Sequence, residues 1–313
     1  MVSRAGGVGT LAAVVDPSAP AARRWARLAD GSSIMGIVNA TTDSFSDGGL
    51  YDTLESRLEL ADQLVAEGAE IIDVGGESGR TDREPTDPET ERDAVVPVIE
   101  HVRRRHPDLT ISIDTYKPLV ADAALAAGAD LINDISGLLD PELADVAAAH
   151  DAGLVLMHTR SRPKVKLTDP ARYDDVVEDV VTFLAEKVEL AVERGVAREA
   201  IALDPGLDFA KTPFQTIEVL QRIDEVVALG HPLLVAISRK DFIGATTLRP
   251  PRERLAGTLA TIAHLAPRGA FVYRVHDVRD AKDFLTVLRI LDGEVSVPED
   301  LELEDHLRRS DPT

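Results

Sequence analysis

A chain of 313 residues in which 44% of the side chains are apolar is long enough to bury one large core. Its 34 Lys and Arg residues against 55 Asp and Glu residues give a formal net charge of −21, which argues against nucleic acids and anionic membranes as partners. No apolar run approaches the roughly 20 residues that cross a bilayer, and the absence of cysteine excludes disulfides and thiolate metal sites.

The two ends of the chain differ in composition from its middle. Residues 1–31 mix Ala and Val with Pro and Arg and lack the basic head and clean apolar block of a secretory signal, so we expect a cytoplasmic protein. Residues 293–313 are rich in Asp and Glu. The sequence therefore predicts an N-terminal extension (1–31), one folded domain (32–292) and an acidic C-terminal tail (293–313).

Within the predicted domain, short apolar runs alternate with segments of helical periodicity. The predicted strands are 34–38, 70–74, 111–114, 130–134, 153–157, 200–204, 233–237 and 271–275. The predicted helices are about 53–67, 89–105, 117–127, 141–150, 172–195, 215–228, 252–266 and 279–291. Continuous apolar strands between helices indicate a parallel sheet covered on both faces. Eight such units favour an α/β fold of the closed (β/α)₈ TIM-barrel class over an open sheet.

Polar or charged residues lie at the end of every predicted strand or within a few positions after it. In chain order they include Asn39, Glu77, Asp114, Asn133, His158, Asp204, Lys240 and His276. Taken singly, an Asp or Asn at a strand end is more often a capping or turn residue, and a strand His is more often satisfied within the core. Because the active sites of such barrels lie at the carboxyl ends of the strands, their joint presence predicts a site there.

The residue types divide into two candidate subsites. Asp114, Asn133, Asp204 and Lys240 combine two carboxylates, an amide and a cation on strand ends, which suits a heteroaromatic ring with amidine and lactam edges. Met157, at the end of the fifth predicted strand, is expected to pack within the barrel.

The second subsite combines Asn39, Arg274 and His276, with Asp47 in a Gly-ended loop. An Arg, a His and a metal-binding oxygen suit a pyrophosphate group with Mg²⁺, which prefers oxygen ligands and keeps several waters. A base-like ring and a diphosphate at one barrel mouth together favour a reaction that displaces pyrophosphate.

Eight sequence motifs resemble those of the dihydropteroate synthase family, in the same order along the chain. They are Asn-Ala-Thr-Thr-Asp-Ser-Phe-Ser-Asp-Gly-Gly at 39–49, Asp-Val-Gly-Gly-Glu-Ser at 73–78, Ser-Ile-Asp-Thr at 112–115, Asn-Asp-Ile at 133–135, Met-His at 157–158, Asp-Pro-Gly at 204–206, Ser-Arg-Lys at 238–240 and Arg-Val-His-Asp-Val at 274–278. The match runs from about residue 34 to 291, and the long first motif is highly specific.

The resemblance implies a homodimeric barrel enzyme that condenses 6-hydroxymethyl-7,8-dihydropterin diphosphate with 4-aminobenzoate and releases pyrophosphate. The implied pterin-binding residues are Asp114, Asn133, Asp204, Lys240, Met157 and Phe209. The implied diphosphate-binding residues are Asn39, Arg274 and His276, with Asn39 as the Mg²⁺ ligand. The implied catalytic residues are Phe45, Asp47, Arg80, Lys240 and Arg274, three of them in loops that would close over the acceptor and the leaving group.

The departures from the family pattern fall on the acceptor side. Where the family usually has Glu-Ser-Thr-Arg-Pro-Gly, residues 77–82 read Glu-Ser-Gly-Arg-Thr-Asp, so Gly79 and Thr81 are altered positions. Asp208 replaces a usual Gly, and Asp241 stands where a Ser is frequent. An inward carboxylate ~5 Å from a benzoate would repel it by roughly 3 kcal/mol at an effective dielectric near 20.

Three functions are therefore weighed. The first is an active dihydropteroate synthase, the second is a paralogue that binds pterins without making dihydropteroate, and the third is a pterin transferase with another amine acceptor. A methyltetrahydrofolate-dependent methyltransferase has a related barrel but would not need Asn39, the 238–240 motif or the 274–276 motif, and ranks lower.

Overall fold

The computed structural model describes residues 32–40, 53–77, 84–269 and 271–308. Eight parallel strands of these residues form a closed barrel in chain order. They are β1 Ser33–Asn39, β2 Ile71–Gly75, β3 Thr110–Asp114, β4 Leu131–Asp134, β5 Gly153–Met157, β6 Ile201–Asp204, β7 Leu233–Ala236 and β8 Phe271–Val275. β8 pairs with β1 and closes the barrel, so the predicted TIM-barrel fold is confirmed.

Helices follow the strands and form the outer layer. Those in the described residues are α1 Leu54–Ala66, α2 Pro88–Arg105, α3 Pro118–Ala126, α4 Glu142–Ala149, α5 Val176–Glu193, α6 Pro213–Gln221, α7 Ile223–Val227, α8 Asp241–Thr247, α9 Leu255–Leu265 and α10 Val278–Leu291. None of the helices in the described ranges is long and apolar enough to cross a membrane.

The observed helices differ from the predicted ones at two places. The helix predicted at 215–228 starts earlier, at Pro213, because Thr212 and Gln215 form a reciprocal capping box, and it is interrupted at Arg222, whose φ of −108° and ψ of 23° are not helical. No helix was predicted after Lys240, yet α8 begins at Asp241. Its seven residues are too few to show an amphipathic repeat.

Strand alternation sorts the buried residues into two layers. One inward-facing ring inside the barrel consists of Met35, Ile71, Leu131, Val155, Ala202, Leu234 and Val272. The larger apolar cluster lies between the strands and the helices and includes the neighbouring positions Ile34, Ile72, Ile132 and Leu154. Because side chains on a strand alternate between faces, the residues two positions beyond the inner ring also face the barrel axis.

The described residues that follow α10 lie outside the barrel. Residues 291–304 are all exposed, and a short 3₁₀ turn, Asp305–Leu307, follows them. The predicted N-terminal extension at 1–31 falls outside the described residues. The division into extension, barrel and acidic tail stays a prediction.

Candidate active site

The polar strand-end residues meet at one mouth of the barrel because they continue the phase of the inner ring. Asp114 lies two positions after Ser112 on β3, Asn133 two after Leu131 on β4, and Asp204 two after Ala202 on β6. The inward set that the strands bring to the carboxyl end is Asn39, Asp114, Asn133, Met157, Asp204, Arg274 and His276.

Arg274 is the centre of the charge arrangement. Its Nε donates to Asp73 Oδ2 at 2.6 Å, and its terminal NH2 donates to Asp114 Oδ2 at 2.7 Å. Charged N–H donors to carboxylates make the stronger class of protein hydrogen bond. The two carboxylates raise the pKa of Arg274 although burial opposes them, so the guanidinium stays charged.

Asp73 is a site residue that the sequence analysis did not single out. Its side chain is fully buried on β2, and its Oδ2 also accepts from Asn133 Nδ2 at 3.3 Å. Within the described part of the chain its Oδ1 has no hydrogen-bond partner. The signal was available, because Asp73 is two positions after Ile71 of the inner ring and therefore faces inward.

Burial makes the two carboxyl groups of the candidate ring subsite harder to ionise. Burial raises the pKa of Asp114 to about 7, although Arg274 opposes the shift. Burial likewise raises the pKa of Asp204, whose Oδ1 accepts from the Gly206 amide at 2.7 Å. A ligand with N–H donors would favour the charged forms, because hydrogen bonding to a carboxylate stabilises its anion.

Lys240 faces the same subsite from the end of β7. Its Nζ donates to the Leu207 carbonyl at 2.9 Å and lies 4.6 Å from the centroid of the Phe209 ring. Burial lowers the pKa of Lys240. A cleft lies between Asp114 and Phe209 and is rimmed by Tyr116 and the loop after β5.

His276 follows β8, the strand that pairs with β7, and it is neutral. Burial lowers its pKa to about 3, and the nearby charges of Arg239 and Arg274 act in the same direction. Its Nδ1 lies 2.9 Å from Ser238 Oγ, while Arg239 is paired with Asp277 at 2.8 Å. The Ser-Arg-Lys segment is therefore part of the site and not a freely solvated loop.

The two added carboxylates are both engaged by neighbouring groups of the protein. Asp241 begins α8, is 60% exposed at its side chain, and lies 3.3 Å from Arg254 and 3.5 Å from Lys166. Asp208 accepts the Asp241 backbone N–H at 2.6 Å and the Thr216 hydroxyl at 3.1 Å. The repulsion expected for an inward Asp241 therefore does not arise in this geometry.

The remaining predicted site residues are those of the loops and Asn39. Phe45, Asp47, Gly79, Arg80 and Thr81 lie outside the described residues. Asn39 ends β1 beside Gly75, half-buried at the barrel mouth. Across the described part of the chain, no three His, Asp or Glu side chains converge as a ready-made metal cluster.

Comparison with known proteins shows the family to which the chain belongs. The family model described as pterin binding enzyme matches residues 35–276. Dihydropteroate synthase of Bacillus subtilis is 45% identical over 248 residues, which are 79% of this chain and 84% of that protein. The Streptococcus pyogenes enzyme of the same name is 42% identical over 260 residues, covering 82% of this chain and 94% of its own.

Solved structures show the same likeness in three dimensions. A Xanthomonas albilineans dihydropteroate synthase with 4-aminobenzoic acid superposes with a TM-score of 0.78 at 39% identity, covering 86% of this chain and 95% of its own. A Yersinia pestis dihydropteroate synthase with a sulfonamide drug gives a TM-score of 0.79 at 35% identity, covering 85% and 95%. The chain therefore belongs to the dihydropteroate synthase family of pterin-binding enzymes.

Proposed function

We propose that this protein is a working dihydropteroate synthase, a pterinylmethyl transferase of folate biosynthesis. In this role it condenses 6-hydroxymethyl-7,8-dihydropterin diphosphate with 4-aminobenzoate to give 7,8-dihydropteroate and pyrophosphate. The observation that carries the proposal is the convergence of Asp114, Asn133, Asp204 and Lys240 beside Arg274 at one barrel mouth. The relatives named dihydropteroate synthase, 42–45% identical, support it.

In the proposed pterin subsite, polar groups match the ring edges. Asp114 and Asp204 accept the N–H donors of the ring, and Asn133 supplies both a donor and an acceptor. Lys240 donates to a ring acceptor. Met157, 1% exposed, and Phe209 pack against the ring faces. Bringing N–H donors to the two buried carboxylates stabilises their anions, which burial alone disfavours.

In the proposed diphosphate subsite, Arg274 supplies the positive charge. A guanidinium has five N–H donors, so it can contact phosphate oxygens while two donors stay with Asp73 and Asp114. Neutral His276 contributes a hydrogen bond and not a charge, because burial lowers its pKa to about 3. Asn39 supplies an amide oxygen at the end of β1.

We include Mg²⁺ in the proposal, with Asn39 as its protein ligand. A single amide oxygen suits a cation that keeps several waters and shares its remaining positions with substrate phosphates. Bound there, the ion would neutralise the charge of the departing pyrophosphate.

The proposed reaction needs no protein nucleophile. The bond between the methylene carbon and the diphosphate oxygen breaks, pyrophosphate leaves with the electron pair, and the ring electrons stabilise the methylene cation. The amine nitrogen of 4-aminobenzoate then bonds to the methylene carbon and loses a proton. Arg274 holds the leaving group, Lys240 and the carboxylates hold the ring, and Phe45, Asp47 and Arg80 are proposed to close over both substrates.

The outward direction of Asp241 weakens the case for another acceptor or for an inactive paralogue. Arg254 and Lys166 lie 3.3 and 3.5 Å from its carboxylate, so these two cations offset the repulsion that Asp241 would exert on a benzoate carboxylate. We also propose that the protein is cytoplasmic and that it is a homodimer; the resemblance implies the homodimer, and sedimentation of the purified protein tests it.

Pyrophosphate release by the purified protein tests the function. The assay contains the pterin diphosphate and Mg²⁺, with and without 4-aminobenzoate, and product analysis identifies dihydropteroate. Release that depends on 4-aminobenzoate and is lost on chelation of Mg²⁺ is expected. A protein that binds the pterin by calorimetry but releases no pyrophosphate would be a pterin-binding paralogue instead.

A further inference from the structure

The turn that joins β6 to α6 is strained and buried. Asp208 and Ala210 have φ values of 66° and 51°, a left-handed conformation that residues with a Cβ adopt at a cost. Gly206 also has a positive φ, and a Cβ there would stand 1.9 Å from the His158 carbonyl oxygen. Such a backbone persists only where its surroundings hold it in place.

Lys211 donates hydrogen bonds to the backbone of this turn from the protein interior. Its side chain is 1% exposed, and its Nζ donates to the Gly206 carbonyl at 2.9 Å and to the Phe209 carbonyl at 3.2 Å. The third contact of Nζ is His158 Nδ1, at 2.7 Å. An ammonium group has three donors, so these three acceptors satisfy it fully.

The far side of Lys211 is anchored to a helix. His158 is fully buried, and its Nε2 lies 2.9 Å from Asp179 Oδ2 on α5. Burial lowers the pKa of His158 to about 3, so the ring is neutral, with Nε2–H donating to Asp179 and Nδ1 accepting from Lys211. Arg160 in turn holds the Asp179 carboxylate with bonds of 2.9 and 2.7 Å.

The near side of the turn contacts the residues proposed to bind the pterin. The Leu207 carbonyl accepts from Lys240 Nζ at 2.9 Å, and the Phe209 ring lies 4.6 Å from the same nitrogen. The Gly206 amide donates to Asp204 Oδ1 at 2.7 Å. The backbone that Lys211 fixes thus carries or touches Asp204, Phe209 and Lys240.

We infer that Lys211 is a positioning residue of the pterin subsite. It does not face the ring itself. By pinning the carbonyls of Gly206 and Phe209 to the His158–Asp179 pair, it sets the places of the Phe209 ring, Lys240 and Asp204 before the pterin arrives. This inference rests on the proposed pterin-binding function.

The test replaces Lys211 by Met, which keeps most of the side-chain length and removes all three donors. Calorimetry measures the affinity of the full-length protein for the pterin diphosphate with Mg²⁺. The Lys211→Met variant is expected to bind about tenfold to a hundredfold more weakly, because two buried carbonyls lose their hydrogen-bond donor. At saturating pterin diphosphate, the KM for 4-aminobenzoate is expected to change by less than about threefold.

A matched control separates positioning from general destabilisation. Lys187 on α5 also donates to the carbonyl of a residue with positive φ, Leu138, at 3.1 Å. Lys187→Met is expected to lower thermal stability without changing pterin affinity. Asp179→Asn acts on the same chain of contacts from a partly exposed position, so it gives an answer even if Lys211→Met does not fold.

The outcomes distinguish the inference from the function on which it rests. Unchanged pterin affinity in folded Lys211→Met, or in Asp179→Asn if Lys211→Met does not fold, overturns the inference. An equal loss of affinity in Lys187→Met also overturns it. Wild-type protein that does not bind the pterin diphosphate would contradict the proposed function itself.

Discussion

Arg274 Nε lies 2.6 Å from Asp73 Oδ2, although 201 positions separate the two residues along the chain. The same guanidinium reaches Asp114 on β3, so it joins the first and last thirds of the barrel across its mouth. The proposed pterin-binding carboxylate and the proposed phosphate-binding cation are therefore one ionic unit. Changes on either side of this unit are expected to affect both the ring subsite and the diphosphate subsite of the pterin diphosphate.

Asp73→Asn is expected to impair catalysis although it changes none of the residues proposed to contact the pterin. The change removes one of two anions that orient Arg274 and leaves a weaker acceptor for its Nε. We expect kcat/KM for the pterin diphosphate to fall about tenfold to a hundredfold, and the free energy of unfolding to fall by about 1–3 kcal/mol. Steady-state kinetics and urea denaturation measure the two effects.

Asp130→Asn is the control for this prediction. Asp130 also pairs with an arginine, Arg103, at 2.6 Å, but it precedes β4 at the opposite end of the barrel. It should lower stability and leave kcat/KM unchanged. Equal kinetics in Asp73→Asn and wild type would show that Arg274 needs no second carboxylate.

Pterin affinity is expected to depend on the ionisation of Asp114. Since burial raises its pKa from 3.8 to about 7, the carboxyl contributes stability at low pH that is lost as pH rises through about 7. A ligand that donates N–H groups to the anion has the opposite preference, so affinity should rise with pH across about pH 6 to about pH 8. Calorimetry over this range measures it.

In Asp114→Asn the amide cannot ionise, so the pH step should disappear. Affinity at neutral pH should also fall by about a hundredfold, because a charged acceptor is replaced by a neutral one. A pH step of the same size in the variant would assign the titration to another group.

Asp241→Ser is expected to have little effect on the acceptor. The Asp241 side chain is 60% exposed and balanced by Arg254 and Lys166, so removing its charge changes the KM for 4-aminobenzoate by less than about threefold. Initial-rate kinetics at saturating pterin diphosphate measure this. A large fall in KM would mean that the carboxylate turns toward the acceptor during turnover.

Lys117→Met is expected to destabilise the protein at the start of the segment that follows β2. Lys117 pairs with Glu77 at 2.6 Å and with Glu91, and all three side chains are nearly buried. Removing the cation takes the ion-pair partner from buried Glu91 and leaves Glu77 with the more distant Lys164, at 3.4 Å, so the free energy of unfolding should fall by about 3–5 kcal/mol. Burial already raises the pKa of Glu91, and therefore the loss should be larger at high pH than at low pH.

Denaturant unfolding at two pH values tests this, with Arg92→Met as the comparison. Arg92 and Asp93 form an exposed pair whose loss should change stability by no more than about 1 kcal/mol. A Lys117→Met protein as stable as Arg92→Met would show that solvent reaches the cluster.

The sequence alone determined the barrel and most of the inward site residues. The apolar runs predicted all eight strands, and the two-residue alternation of a strand places Asp114, Asn133 and Asp204 in phase with the inner ring. These are local properties, because the phase of a strand is fixed by neighbours one or two positions away. The same alternation places Asp73 inward, two positions after Ile71.

The tertiary structure alone decided how the charges are paired. Asp73 and Arg274 are 201 positions apart, and Asp241 is 13 positions from Arg254, which pairs with it. His158 is 53 positions from Lys211 and 21 from Asp179, its two contacts. No periodicity encodes such pairs, since each depends on which strands and helices become neighbours after the barrel closes. Sequence therefore specified which chemical groups reach the barrel mouth, and the closed barrel specified which of them are charged, paired and aimed at a ligand.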